Sequence, residues 1–384
     1  MLDDLPLREL VPAVIGALVR RGAGFAAAED AVQEALLRAH SAWPQLPGGR
    51  PRDPKGWLLT VAWHCAVDAH RAERSRLQRE LRVAAEPPPG PAADDDDALQ
   101  LLFLCAHPSL SPASAVALTL RAVGGLTTRQ VAAGLLVPEA TVGQRISRAK
   151  RTLAGVRLGE PGDPATVRRV LYLVFNEGYS GDVDLAAEAL RLTRQLARTD
   201  DHPETHGLLA LLLLHHARRA ARTGPGGTLV PLAEQDRSRW DTAMVAEGVE
   251  VLQRALARDA LGEFQAQAAV AALHDDAPSV EETDWVQVVS WYDELLALTG
   301  SPVVRLNRAV AVGEADGAAA GLAALAEVDP GTPRWTAASA HLHERAGDLA
   351  VAADLYAEAA RLAPSLAERH HLAKQAGRLR GAVG

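Results

Sequence analysis

Apolar residues recur along this chain in three- and four-residue steps, and nowhere do they alternate with polar ones for long enough to make a half-buried strand. Across residues 28–40, Val32, Leu36 and Ala39 fall on one face of a helix, and Asp30, Gln33, Glu34 and Leu37 share the outer face. A longer helix begins at Trp57 and turns basic through Arg71, Arg74, Arg76 and Arg79. A third places Val142, Ile146, Ala149 and Leu153 on a buried stripe, with Thr141, Gln144, Arg145 and Arg148 opposite. The pattern predicts an all-α protein.

Two breaks divide it. Around residues 84–97 an Ala-Ala-Glu-Pro-Pro-Pro-Gly-Pro segment and the run Asp94, Asp95, Asp96, Asp97 have little to bury and several prolines that forbid helix, so they read as a flexible acidic linker. The Asp run is either simply solvated or an electrostatic partner for a basic surface. Residues 159–164, Gly-Glu-Pro-Gly-Asp-Pro, form the second break. The expected modules are therefore 1–83, 98–158 and 165–384. In the last, Gly347, Ala352, Tyr356, Ala359 and Pro364 repeat the steps of Gly313, Ala318, Leu322, Leu325 and Pro330 at a distance of 34 residues. That is the tetratricopeptide period, in which small residues let paired helices approach, glycine permits the turn and proline ends the second helix. Helices near residues 185–198, 205–222 and 241–258 read as degenerate members of the same α-solenoid, without a fixed register.

Charge changes the picture more than composition does. The chain of 384 residues carries a net charge of −8, unevenly spread: about +2 over residues 1–83, −5 over 84–97, +5 over 98–160 and −10 thereafter. A small basic module inside an acidic protein supplies the phosphate attraction on which DNA affinity largely rests. Cys65 and Cys105 have no metal-ligand spacing and read as buried thiols. The longest apolar run, residues 208–214, falls far short of a membrane span, and Asp3 and Asp4 stand where a leader would be basic, so a cytoplasmic protein without a membrane role is expected.

Residues 125–153 predict two short helices meeting at a tight turn. Thr127 and Gln130 suit a capping box, the first helix stops near Gly134, and Pro138 suits the start of the second. A helix-turn-helix presents such an outer face to the major groove, where arginine can bond guanine and glutamine adenine. Lys150, Arg151 and Arg157 are expected to meet phosphate. The bland alternative is a helical hairpin with a solvated basic face. Gly143 is an oddity inside the second helix, open to two readings: close approach to DNA, or drift.

Taken together these residues resemble the extracytoplasmic-function sigma factors of the sigma-70 family. Ala28-Glu-Asp-Ala-Val-Gln-Glu-Ala is similar to the family's polymerase-clamp helix, Gly56-Trp-Leu-Leu-Thr-Val-Ala to its −10 helix, and Val137-Pro-Glu-Ala-Thr-Val-x-x-Arg-x-x-Arg-Ala-Lys-Arg to its −35 recognition helix. The rear half resembles the subgroup with a long tetratricopeptide-like extension. The resemblance implies that Asp30, Gln33, Glu34 and Leu37 bind the clamp of core RNA polymerase. It implies that Trp57, Thr60, His64, Asp68 and Arg71 lie near unpaired −10 bases of promoter DNA, and that Thr141, Gln144, Arg145, Arg148, Lys150 and Arg151 serve the −35 element. Trp63, His64 and Cys65 depart from the basic residues usual in that stretch of the −10 helix. For Trp57 a structural role stands beside a contact, and Trp43 and Trp63 read as core.

No enzyme site, cofactor motif or metal site emerges. His202 and His206 are four apart, but Pro203 places His202 at or before a helix start. Asn176, Glu177 and Tyr179 read as a turn after a buried helix, either structural or an interdomain contact. The repeats suit a regulatory protein or ligand and are expected to modulate the basic module. The rival functions are a helix-turn-helix regulator that never enters polymerase and a protein-binding scaffold.

Overall fold

The computed structural model describes residues 7–47, 50–77, 94–135, 137–155, 163–177, 184–224, 228–363 and 366–383. Among these residues the regular structure is helical, with one isolated antiparallel bridge, Thr223 to Leu229. The chain forms two compact units, Met1–Asp200 and Asp201–Gly384.

The first unit contains α1 (Leu7–Arg20), α2 (Phe25–Ala42), α3 (Pro54–Leu77), α4 (Asp94–Cys105), α5 (Pro112–Ala122), α6 (Thr128–Gly134), α7 (Glu139–Thr152), α8 (Pro164–Glu177) and α9 (Leu185–Ala197). Helix α1 is its axis: Val14, Ile15 and Leu18 are fully buried as it packs on α2 and α3 and also on α4 and α5. Helix α4 begins inside the Asp run, so the expected linker ends earlier than residue 97.

The capping box forms as expected. Thr127 N–H donates to Gln130 Oε1 at 2.9 Å and Gln130 N–H to Thr127 Oγ1 at 3.2 Å, which starts α6. Pro138 caps α7 rather than opening it.

The predicted member of the solenoid near residues 185–198 belongs to the first unit instead. Helices α8 and α9 pair with each other, and α8 also packs on α4 and α5. Asp163 starts α8 by accepting the N–H groups of Ala165 and Thr166, each at 3.1 Å. The side chain of Leu185, fully buried, fills the space that a Cβ on Gly134 would need, with Cδ1 2.7 Å from that position. Burial of one such leucine contributes roughly 1.5–3 kcal/mol. Asn176 and Glu177 lie within the last turn of α8, not in a turn after it, and Tyr179 lies outside the described residues.

The second unit runs through α10 (Pro203–Ala217), α11 (Arg219–Arg222), α12 (Thr242–Leu256), α13 (Glu263–Asp276), α14 (Trp285–Thr299), α15 (Pro302–Ala315), α16 (Ala318–Leu325), α17 (Trp335–Ala346), α18 (Leu349–Leu362) and α19 (Leu366–Val383). The apolar run 208–214 is the middle of α10, buried on all sides with α12 and α13 packed against it. From α13 onward each helix packs on the next, which is solenoid geometry. The period is visible in ion pairs one repeat apart: Arg334 Nε lies 2.9 Å from Glu368 Oε1, and Arg378 pairs with Glu344. Gly347 supplies the left-handed turn before α18, with φ of 87°. Its sequence counterpart Gly313 does not. The corresponding turn is made by Gly317, φ 94°, while Gly313 sits inside α15 where a Cβ would lie 2.3 Å from Leu342 Cδ2. Pro364 lies outside the described residues.

A polar cluster is buried beneath α10 and α13. Arg218 pairs with Asp275 and donates to Ala271 O at 2.6 Å, while Arg237 donates to His274 O and Ala277 O, both at 2.7 Å. Both guanidinium groups lie over Trp240, at 5.4 and 4.5 Å from the ring centroid. Burial, reinforced by nearby arginines, pushes His215 down to about 3 and His274 to about 4, and burial pushes Asp275 up to about 6 against the pull of Arg218.

Two measurements follow from these details. Thr127→Ala should destabilise the first unit by about 1 kcal/mol, and Gly143→Ala, where an added Cβ meets nothing within 4 Å, should stabilise it by up to about 1 kcal/mol in denaturant titrations. The second concerns pH. Histidines whose folded values are depressed contribute stability that is lost as pH falls from the unfolded value of about 6.5 towards their folded values. Asp275 has the opposite sign: its folded value is raised, so it favours folding as pH falls through about 6. Two histidines outweigh one carboxylate, so calorimetry should find a lower thermal midpoint for the second unit at pH 5 than at pH 7, and a shallower dependence in His215→Leu. A midpoint that rises on acidification contradicts this assignment.

Candidate nucleic-acid and polymerase interfaces

Helix α7 buries Val142, Ile146 and Ala149 against α5 and α6, and this fixes what it can present outward. Gln144, Arg148 and Arg151 are exposed, and Thr141 and Arg145 are half-buried beside them, so these five form one continuous polar strip. Lys150 is not part of it. It lies beyond the buried stripe from Arg148, with its ammonium 2.7 Å from Glu29 Oε2. Lys150, expected to meet phosphate, is held here in an ion pair inside the protein. Arg157 lies outside the described residues.

On α2, Asp30, Glu34 and Leu37 are exposed and Gln33 half-buried. Leu37 is 68 % exposed, a large apolar side chain facing water beside two carboxylates. Glu34 is held by Arg38 Nε at 3.0 Å one turn along the same helix. The inward face is built from Ala28, Ala31, Val32, Ala35 and Ala39, while Leu36 is half-buried.

Helix α3 starts on Asp53, whose Oδ1 accepts Gly56 N–H at 2.9 Å. A side chain at position 56 would collide with that cap, since its Cβ would lie 2.3 Å from Asp53 Oδ2. Trp57 is half-buried and meets the core residue Trp43 edge to face, with ring centroids 5.5 Å apart at 73°. That contact gives Trp57 a packing role. Thr60, His64 and Asp68 are exposed along α3, with Thr60 Oγ1 bonded back to Gly56 O at 2.8 Å. Trp63 and Cys65 are half-buried, so Cys65 is not the buried thiol expected, whereas Cys105 is. The side chain of Arg71 lies outside the described residues.

Sequence reasoning passed over Glu29 and Arg121. Glu29 is 4 % exposed, with Arg121 Nε 3.4 Å from Oε1 and Lys150 at Oε2. Arg121 also donates to Leu126 O at 3.0 Å, tying α5 to the segment that leads into α6. The signal was present: Glu29 stands three residues before Val32 and seven before Leu36, on the inward stripe, where an unpaired charge is not tolerated. His202 and His206, four residues apart, have other duties. His202 Nδ1 accepts Glu204 N–H at 3.1 Å at the start of α10, and His206 Nε2 lies 3.1 Å from Asp201.

Family models match three segments: sigma-70 region 2 over residues 7–76, sigma-70 region 4 over 100–153, and a family of unknown function, DUF6596, over 164–256. An uncharacterized protein of Rhizobium meliloti is 40 % identical over 360 residues, 85 % of this chain and 82 % of that protein. The probable ECF RNA polymerase sigma factor SigI of Mycobacterium tuberculosis is 29 % identical over 172 residues, 42 % of this chain and 58 % of SigI. The ECF RNA polymerase sigma factor SigL of the same species is 33 % identical over 132 residues, 33 % of this chain and 73 % of SigL. No solved structure matches. Among the described residues no helix is long and apolar enough to cross a membrane. With both sigma regions in order on the helices described, the chain belongs to the sigma-70 family as an extracytoplasmic-function sigma factor, which directs transcription initiation and carries a helical C-terminal extension.

Proposed function

We propose that residues 1–83 bind the polymerase clamp and the −10 element, that residues 98–158 read the −35 element, and that the extension modulates both in the cytoplasm. The polar strip of α7 carries this reading furthest: Thr141, Gln144, Arg145, Arg148 and Arg151 stand together on a helix of helix-turn-helix type, as major-groove readout requires. Asp30, Gln33, Glu34 and Leu37 are the clamp face, and Thr60, His64, Asp68 and Arg71 the −10 face. Lys150 joins the −35 set only if its pair with Glu29 opens.

The extension has two roles in this proposal. Helices α8 and α9 complete the core of the first unit. The remainder, residues 201–384, carries a net charge of about −9, counting Lys and Arg against Asp and Glu, and repels the phosphates that the reader attracts. A regulatory protein or ligand acting on the repeats would work by changing that effect.

Arg145→Ala and Arg148→Ala should each weaken binding to a −35 duplex by about 1–3 kcal/mol and relax its sequence preference, while Asp30→Arg with Glu34→Arg should abolish association with core polymerase without unfolding the chain. Duplex discrimination unchanged in the first pair, or wild-type pull-down by the second, contradicts the assignments. A truncation tests the role of the extension, and the structure sets where to cut. Ending the chain near residue 160 strips α8 and α9 from the core, whereas ending it at Asp200 keeps the first unit whole. The chain ending at Asp200 should bind promoter duplex more tightly than the full chain, with the gap closing as salt rises. Equal affinity at low salt leaves the acidic repeats without that role.

A further inference from the structure

Glu29 belongs to none of the exposed faces, yet it joins the two sigma regions. It is carried by α2 of region 2, while Arg121 and Lys150 come from α5 and α7 of region 4. One carboxylate, almost wholly buried, thus holds two cations of the neighbouring module at 3.4 and 2.7 Å. The surroundings are dry: Cys105 of α4 is buried, and its thiol is pushed up by burial and by the charge of Glu29. Contacts of α1 with α4 and α5, and of α2 with the turn Leu153–Gly155, extend the same interface.

This clasp leaves the proposed contact faces open. Asp30, Glu34 and Leu37, Thr60 and His64, and Gln144, Arg148 and Arg151 are all exposed while it is closed. What it fixes is distance. The −35 and −10 elements stand about 25 base pairs apart, roughly 85 Å at a rise of about 3.4 Å per pair. Modules joined side chain to side chain cannot occupy both.

We propose that Glu29 is a positioning residue: its clasp on Arg121 and Lys150 holds the two promoter-reading regions together in the free protein, and promoter engagement at both elements requires its release. The proposal rests on the sigma-factor reading for its consequence but not for its structural test. Glu29→Gln keeps the shape and removes the charge, leaving two partly desolvated cations around a neutral amide, so the closed form loses its compensation.

The test uses the full chain with Cys65→Ser and spin labels at the exposed positions Ser41 and Ser147, on α2 and α7. Wild type should give one short distance. Glu29→Gln, and independently Lys150→Met, should raise the ratio of long to short distances about tenfold. In Glu29→Gln, affinity for DNA bearing both elements, its −10 bases unpaired, should rise about tenfold, and affinity for a duplex bearing only the −35 element should rise by much less, the gain being that of one freed lysine; Lys150→Met is read by distance alone. A purely structural role for Glu29 would move both DNA affinities alike. Identical distance distributions in wild type and both variants overturn the proposal. A distance shift with no preference for promoter DNA in any variant retains the clasp and overturns the sigma-factor reading.

Discussion

A carboxylate removed from water must be compensated, and the arrangement of the first unit follows from how Glu29 is compensated. Isolated in a low-dielectric interior, its charge would cost several kcal/mol; with Arg121 and Lys150 beside it the cost is offset, but only while α2, α5 and α7 stay where they are. The apolar part of the interface, with α1 as its axis, is non-directional and tolerates sliding. The ion cluster is directional, and on our proposal it is what fixes the register between region 2 and region 4. In some proteins buried polar groups act in this way, contributing little net stability while selecting one arrangement among several.

The extension is tied to the same core by packing. Leu185 occupies the space that Gly134 leaves by having no side chain, and the apolar faces of α8 and α9 close over region 4. Helix α10 then starts a separate unit whose cohesion comes from helix-on-helix stacking, reinforced by pairs such as Arg334 with Glu368. The C-terminal extension therefore has two physical characters: α8 and α9 are structural parts of the first unit, and the helices after Asp200 form a compact unit of their own.

Much of this could be read from the residues. Helical periodicity gave α2 and α7 with their faces, because each has an apolar stripe and burial follows it; for α3 it gave the helix but no faces. The capping box was legible because its two side chains are local. The repeat period was legible, but the role of Gly313 was not: sequence counting cannot distinguish a glycine that turns the chain from one that lets two helices touch, and only Gly317 has the left-handed backbone. The Asp run was read as linker because it has nothing apolar to bury and follows several prolines, whereas α4 already includes Asp94. Glu29 and its partners were missed for a related reason. Its own position on the apolar stripe was suspicious, but Arg121 and Lys150 are far away in sequence, and a lone lysine on a recognition helix invites a phosphate partner.

The central claim, that this chain selects promoters for RNA polymerase, is tested most directly by adding the full chain to core polymerase on fragmented genomic DNA and sequencing the 5′ ends of the RNA made. The account predicts starts that require the chain, cluster at defined positions and share two upstream elements at a constant spacing. Starts that are the same with and without the chain, or that share no such pair of elements, would contradict it.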